Sequence, residues 1–329
     1  MKLKLLKIIS ASLALTIFLT LSGCKGESKD TSSNGTVPTI EMQPVKIALT
    51  YGNDSVSIVR LMSQNLSGKT EGSYSVSLYT SANKVSAALA NNAVDIGFVP
   101  ITTAIQLNET ASHIRIMGVN RASNLFLASS ESVDSLEQLK GKKVFVSDSE
   151  KSDIFYLIKS ALERAGLTDK DITFKYYSSP DELSENVNNG ECDAVIAGIP
   201  TVSQLISENS EWNVISDISE ILKTEAGAVS YAIVANNESS LSNPAGFETF
   251  IKELDSSAEY IKENPEKAAT LLMDNGICRT EEIAKETVEK FNADMVYGGE
   301  MKSFVKDYLS SLPDIQISNS TYDSLFYYS

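Results

Sequence analysis

Residues 45–99, VKIALTYGNDSVSIVRLMSQNLSGKTEGSYSVSLYTSANKVSAALANNAVDIGFV, decide the fold. VKIALT (45–50) is a short apolar run that stops at a turn, and it reads as a strand. Asn53, Asp54 and Ser55 then stand where a helix needs a cap, with Val56, Ile58, Val59 and Met62 on one face. Tyr74 to Tyr79 gives a second strand, Val85, Ala88 and Leu89 line a second helix, and Val94 to Val99 gives a third strand. Consecutive strands joined through helices predict a parallel sheet with helices over its faces.

The same order returns downstream. After Leu136 to Gly141, Lys143 to Val146 reads as a strand, and Ser147 and Glu150 stand at capping-box spacing. Ile154, Leu157, Ile158, Ala161 and Leu162 then recur at helical period up to Gly166. Strands are expected at Thr173 to Tyr177, Ala194 to Ala197 and Trp212 to Ile215, with helices opening at Pro180 and Pro200. Two apolar strands, Ile114 to Leu127 and Val229 to Ala235, connect the units. Beyond them the chain turns helical, over Phe247 to Ile261, Pro265 to Met273, Glu281 to Phe291 and Met301 to Leu309. A lobe that begins in the first unit, leaves, and returns after the second accounts for this order. The expected division is a discontinuous first lobe, 44–127 and 232–329, a second lobe, 128–231, and the two connecting strands as hinge.

Lys2, Lys4 and Lys7 precede an apolar run from Ile8 to Leu21, the charge-then-hydrophobic order of an export signal, and too short a run to span a bilayer. Leu21-Ser22-Gly23-Cys24 resembles the lipobox of bacterial lipoproteins. That resemblance implies a signal peptide over 1–23, acylation of Cys24 by palmitate-type chains, and a lipid anchor at the outer face of a membrane. Residues 24–43 are polar and rich in Ser, Thr and Gly, a flexible tether. The alternative is an ordinary signal peptide with a chance cysteine.

Twenty-eight basic side chains face 43 acidic ones, for a formal net charge of −15, and the leader holds three of the lysines. Such a field repels nucleic acid. Besides Cys24 the cysteines are Cys192 and Cys278, which read either as two free, partly buried thiols or as a disulfide, since sequence separation carries no geometry. The single His113 and the lack of clustered Cys or His leave no zinc site, and no cofactor is expected.

Several segments together, spread from residue 45 to about 275, resemble the type 2 periplasmic-binding-protein fold: VKIALTYGNDS, NNAVDIG (91–97), LEQLKGKKVFV (136–146), GECDAVIAG (190–198) and NPEKA (264–268). Within it the resemblance is to the group of nitrate, taurine, aliphatic-sulfonate and thiamine-precursor receptors. It implies an α/β protein of two lobes, each a mainly parallel sheet flanked by helices, with two hinge strands. The segment from Asp314 to Ser329 resembles nothing in that group.

In such sheets ligands bind beyond the carboxyl ends of the strands, where helix N-termini offer unpaired N–H groups. The loops that qualify put Thr50, Tyr51, Asn53, Ser81, Thr102, Thr103 and Arg121 on one side, and Ser147, Ser149, Ser152 and Gly198 on the other. Thr50, Asn53, Thr102, Thr103 and Ser147 serve equally as caps or strand ends. Arg121 is placed to clamp a carboxylate or sulfonate, or to make a surface salt bridge. Tyr51, Phe98, Tyr177 and Tyr231 can stack on a ring or pack in a core.

The function expected is a solute-binding protein that captures a small molecule, an organic anion such as a sulfonate, and delivers it to an ABC permease and its ATPase. It would act as a monomer, lipid-anchored on the extracytoplasmic face of the cell membrane. The alternatives are a receptor for a thiamine precursor or other heteroaromatic compound, and a receptor that presents its ligand to a membrane sensor. An enzyme fits less well, because there is no GxxxxGKS phosphate loop and no recognisable catalytic spacing.

Overall fold

The structure, a computed structural model, describes residues 43–327 apart from 131, 132, 134, 149, 151, 178, 219–227, 313, 314 and 316. The expected leader, Cys24, the tether up to residue 42 and Ser149 lie outside the described residues.

Two mixed sheets organise the chain. The first contains β1 (Val45–Thr50), β2 (Tyr74–Tyr79), β3 (Ile96–Val99), β4 (Ile114–Asn120), β10 (Tyr231–Asn236) and β11 (Met295–Tyr297), in the order β11-β4-β10-β3-β1-β2. The second contains β5 (Leu125–Ser129), β6 (Lys143–Val146), β7 (Thr173–Tyr176), β8 (Ala194–Gly198) and β9 (Asn213–Asp217), in the order β7-β6-β8-β5-β9. Each keeps a parallel trio, β2-β1-β3 and β7-β6-β8, followed by one reversed strand, β10 or β5. The reversed strands make the sheets mixed, while most strands of each still run in one direction. Position in the sheet explains the sequence of each strand. Ile47, Ala48 and Leu49 of central β1 are fully buried on both faces, whereas edge strand β2 alternates.

Helices cover these faces: α1 (Asn53–Leu66), α2 (Ala82–Ala90) and α3 (Ile101–Thr110) follow the strands of the first trio, and α4 (Asp153–Arg164), α5 (Pro180–Asn188) and α6 (Thr201–Glu208) follow those of the second. The C-terminal third supplies α7 (Asn237–Ser242), α8 (Pro244–Glu263), α9 (Pro265–Asp274), α10 (Glu281–Lys290), α11 (Gly298–Ser311) and α12 (Asn319–Ser324). Phe247, Phe250 and Leu254 of α8 pack on Ile47, Leu49, Ile58 and Phe98 in a core confined to the first sheet. Helix α9 packs on α1 and α10, and α10 reaches α6, so this end of the chain ties the two sheets together.

Three local readings are corrected. The strand expected over 114–127 is two strands in different sheets, because the chain crosses over at 121–124. The buried amides of Asn120 and Asn124 anchor the crossing. Asn120 Oδ1 accepts from Ala122 N (3.2 Å) and Asp294 N (2.9 Å), while Asn124 donates to Asn292 O (2.9 Å) and accepts from Asn292 N (2.9 Å). Ser147 does not open a helix with Glu150. Its N–H donates to Ile196 O (2.9 Å), continuing the β6 ladder, and α4 starts only at Asp153, with Ser152 as cap residue. Asn53 is the first residue of α1 behind Gly52 and makes no capping bond.

The C-terminal segment completes the first sheet. Leu325 and Phe326 are buried, Ile116 N donates to Leu325 O (2.8 Å), and Tyr327 N donates to Ile116 O (2.9 Å). Asn108 holds the adjoining turn through Ser324 O (3.1 Å) and Ser324 Oγ (2.8 Å).

Candidate ligand cleft

The loops at the carboxyl ends of both parallel trios contribute to one buried junction. Its centre is Asp153, the first residue of α4. Its carboxylate leaves the second sheet's helix and accepts hydrogen bonds from the N–H groups of Ile101 (2.5 Å) and Thr102 (2.9 Å), the opening residues of α3 over the first sheet. Those amides have no partner within their own helix, and the positive end of its dipole lies with them. Asp153 is 3% exposed. Burial pushes its carboxyl up to about 6, against the pull of the Thr102 and Ile101 bonds, and nearby Asp148 raises it further. Tyr308 of α11, fully buried, has its phenol pushed upward by burial first and then by the charge of Asp153. Ser152 is 7% exposed, and its hydroxyl has no hydrogen-bond partner among the described residues.

A second buried carboxylate lies at the end of β1. Asp54 accepts from Thr50 N (2.7 Å) and Thr50 Oγ1 (2.8 Å), and burial moves it up to about 6 in spite of those bonds. Sequence reasoning missed Asp54 and Asp153 as partners of the loops it chose. An acid in the first turn of a helix reads as dipole compensation, and no sequence signal says that Asp153 reaches a helix of the other sheet.

The expected residues fall into three groups. Thr102 meets Asp153 beside Ser152, and Thr50 is held by Asp54; Thr103 follows Thr102 on α3, and Asn53 opens α1, both half-buried. Gly198 ends β8 where an added Cβ would come within 3.2 Å of Asn124 O, and Ser147 is half-buried after β6. Ser81 stands at the N-cap of α2 beyond the edge strand without a side-chain capping bond, Tyr51 is 43% exposed, and Arg121 is held by acids of the C-terminal third. Its guanidinium binds Asp294 (2.8 Å) and Glu300 (3.3 Å) and lies over the Phe304 ring.

The other aromatic candidates are packed. Phe98 and Tyr231 lie 5.2 Å apart between ring centres, with Tyr231 Oη donating to Ser57 Oγ (2.8 Å), and Tyr177 packs edge-on against Phe145. Cys192 and Cys278 are free thiols, so the disulfide alternative falls; burial pushes them up to about 12 and about 11. A surface depression of about 310 Å³ beside Asp255, Glu259, Lys262 and Met295 lies apart from the junction. Among the described residues no group of His, Cys, Asp and Glu could hold a metal ion, and no helix is long and apolar enough to cross a membrane.

Two α/β units are thus joined where the chain passes from one sheet to the other, as at 121–124, and the N-termini of α3 and α4 meet at Asp153. Residues 53–286 match the family described as ABC transporter, phosphonate, periplasmic substrate-binding protein, and the chain belongs to that family. It is therefore the substrate-binding component of an ABC importer and acts outside the cytoplasm. Curated protein sequences give no match to it. Solved structures share the fold. The periplasmic aliphatic sulphonate binding protein SsuA from Escherichia coli is 17% identical, with a TM-score of 0.66 over 81% of this chain and 90% of that one. An ABC transporter protein from Parabacteroides distasonis is 16% identical, with a TM-score of 0.68 over 86% and 96%. The alkanesulfonate-binding protein SsuA from Xanthomonas axonopodis pv. citri, bound to MOPS, is 13% identical, with a TM-score of 0.64 over 82% and 90%.

Proposed function

We propose that the chain captures a small organic acid between two lobes, at the facing N-termini of α3 and α4, and releases it to the permease by opening about the crossings at 121–124 and 228–230. The observation that supports this most directly is that a carboxylate, that of Asp153, already rests on the Ile101 and Thr102 amides. The α3 terminus thus has the geometry to hold an oxyanion, and the unpartnered Ser152 hydroxyl at the α4 terminus supplies a further donor. Thr50, Asn53, Thr103, Ser147 and Gly198, on the other loops at the strand ends, complete the proposed wall. A phosphonate or sulfonate is the ligand class favoured, in keeping with the family and with the names of the structural neighbours. The packed positions of Phe98, Tyr177 and Tyr231 count against a heteroaromatic ligand.

The protein from residue 42 onward, screened by thermal unfolding, is expected to be stabilised by phosphonates or sulfonates in proportion to RT ln(1 + [L]/Kd). Stabilisation by pyrimidines alone would overturn this reading. Acylation of Cys24 would hold the protein at the membrane. Cys24→Ser is accordingly expected in the soluble extracytoplasmic fraction, and its retention on membranes would count against the anchor.

A further inference from the structure

Asp153 places a negative charge where the proposed ligand brings its own. Asp153 is the first residue of α4, follows Ser152, and its carboxylate is bonded to the first two amides of α3. An oxyanion that takes up the Ser152 hydroxyl or the α3 amides therefore comes to lie against a buried carboxylate. The ionisable groups that face Asp153 are Asp148, in the loop ahead of α4, and Tyr308, from α11. The first adds negative charge and the second is neutral, while α3 contributes only backbone and the Thr102 side chain. Two acids in contact inside a low-dielectric site do not both stay ionised, and they hold one proton between them.

Resting on the reading of the cleft given above, we propose that Asp153 is its specificity-determining residue: the ligand's acidic group binds together with one proton, shared with this carboxylate. A phosphonate carries that proton as P–OH and donates it to Asp153. A sulfonate has none, so Asp153 must take one from solvent. The raised position of the Asp153 carboxyl, about 6 before any ligand enters, lies in the direction this requires.

Calorimetry of the full chain with methanesulfonate and methylphosphonate as probes tests this. In the wild type, methanesulfonate affinity should fall roughly twentyfold from pH 5.5 to 7.5, as expected for uptake of one proton by an acid titrating near 6. Methylphosphonate, which holds its second proton over most of that range, should lose far less. Asp153→Asn should flatten the methanesulfonate profile and narrow the preference between the probes at pH 7.5. Should that variant not fold, wild-type heats in buffers of different ionisation enthalpy count the protons directly. About one proton taken up per methanesulfonate at pH 7.5 supports the proposal, and none overturns it. Parallel pH profiles in the wild type and Asp153→Asn, with binding intact, overturn the proposal alone. Failure of both probes to bind at any pH overturns the reading of the cleft and the proposal with it.

Discussion

At the scale of single residues, the buried carboxylate of Asp54 makes a pH argument with a definite sign. Asp54 is 4% exposed and its carboxyl is moved up to about 6, so the folded protein binds its proton more tightly than the unfolded chain, where an aspartate sits near 3.8. Stability from this group is fully present below about pH 4 and is lost as pH rises through about 6. Urea unfolding of wild type and Asp54→Asn, compared at pH 4 and pH 7, should show the variant gaining up to about 3 kcal/mol relative to the wild type across that interval. A constant difference would reject the assignment. Arg121 supports the opposite kind of expectation. It is partly exposed and already matched by Asp294 and Glu300, so Arg121→Ala should cost no more than about 1 kcal/mol of stability and leave oxyanion affinity unchanged by calorimetry. Its loop position suggested a ligand clamp, and the sequence held no sign that residues 294 and 300 would meet it from far along the chain.

At the scale of elements, periodicity located most strands and helices, though not α3, α7, β11 or α12, because each of those found has a one-sided or two-sided apolar pattern with a tertiary cause. The apolar residues of 45–50 and 143–146 are buried on central strands, and those of 247–261 form one face of α8. Starts of helices were less legible. Ser147 and Glu150 fit a capping box by spacing, yet ladder pairing to Ile196 keeps Ser147 with its strand and delays the helix to Asp153. The split of 114–127 was invisible for a related reason: both halves are apolar, and what separates them is the bonding of Asn120 and Asn124 to residues 292–294. The segment that resembled nothing known is also an element with a task. Ending the chain at residue 317 removes buried Leu325 and Phe326 and the bonds to Ile116 and Asn108, and should lower stability by on the order of 5 kcal/mol in urea unfolding. A loss below about 1 kcal/mol would show the segment to be dispensable.

At the scale of the molecule, the two parallel trios with their reversed strands form the same arrangement twice, one assembled from a single stretch of chain and the other from distant stretches. The second sheet draws on residues 125–217 alone, whereas β10 and β11 must return to β4 before the first sheet is whole, and the segment around Leu325 must then settle on Ile116. A chain that folds as it emerges from its N-terminus presents β1 to β4 well ahead of the strand that separates β3 from β4. Until residues 231–236 arrive, the facing edges of β3 and β4 are open to pairing with anything that offers a strand. Folding that proceeds from the N-terminus thus has a vulnerable interval, lasting until the roughly hundred residues between β4 and β10 have followed. A chaperone that covers open strand edges would have its most valuable work in that interval.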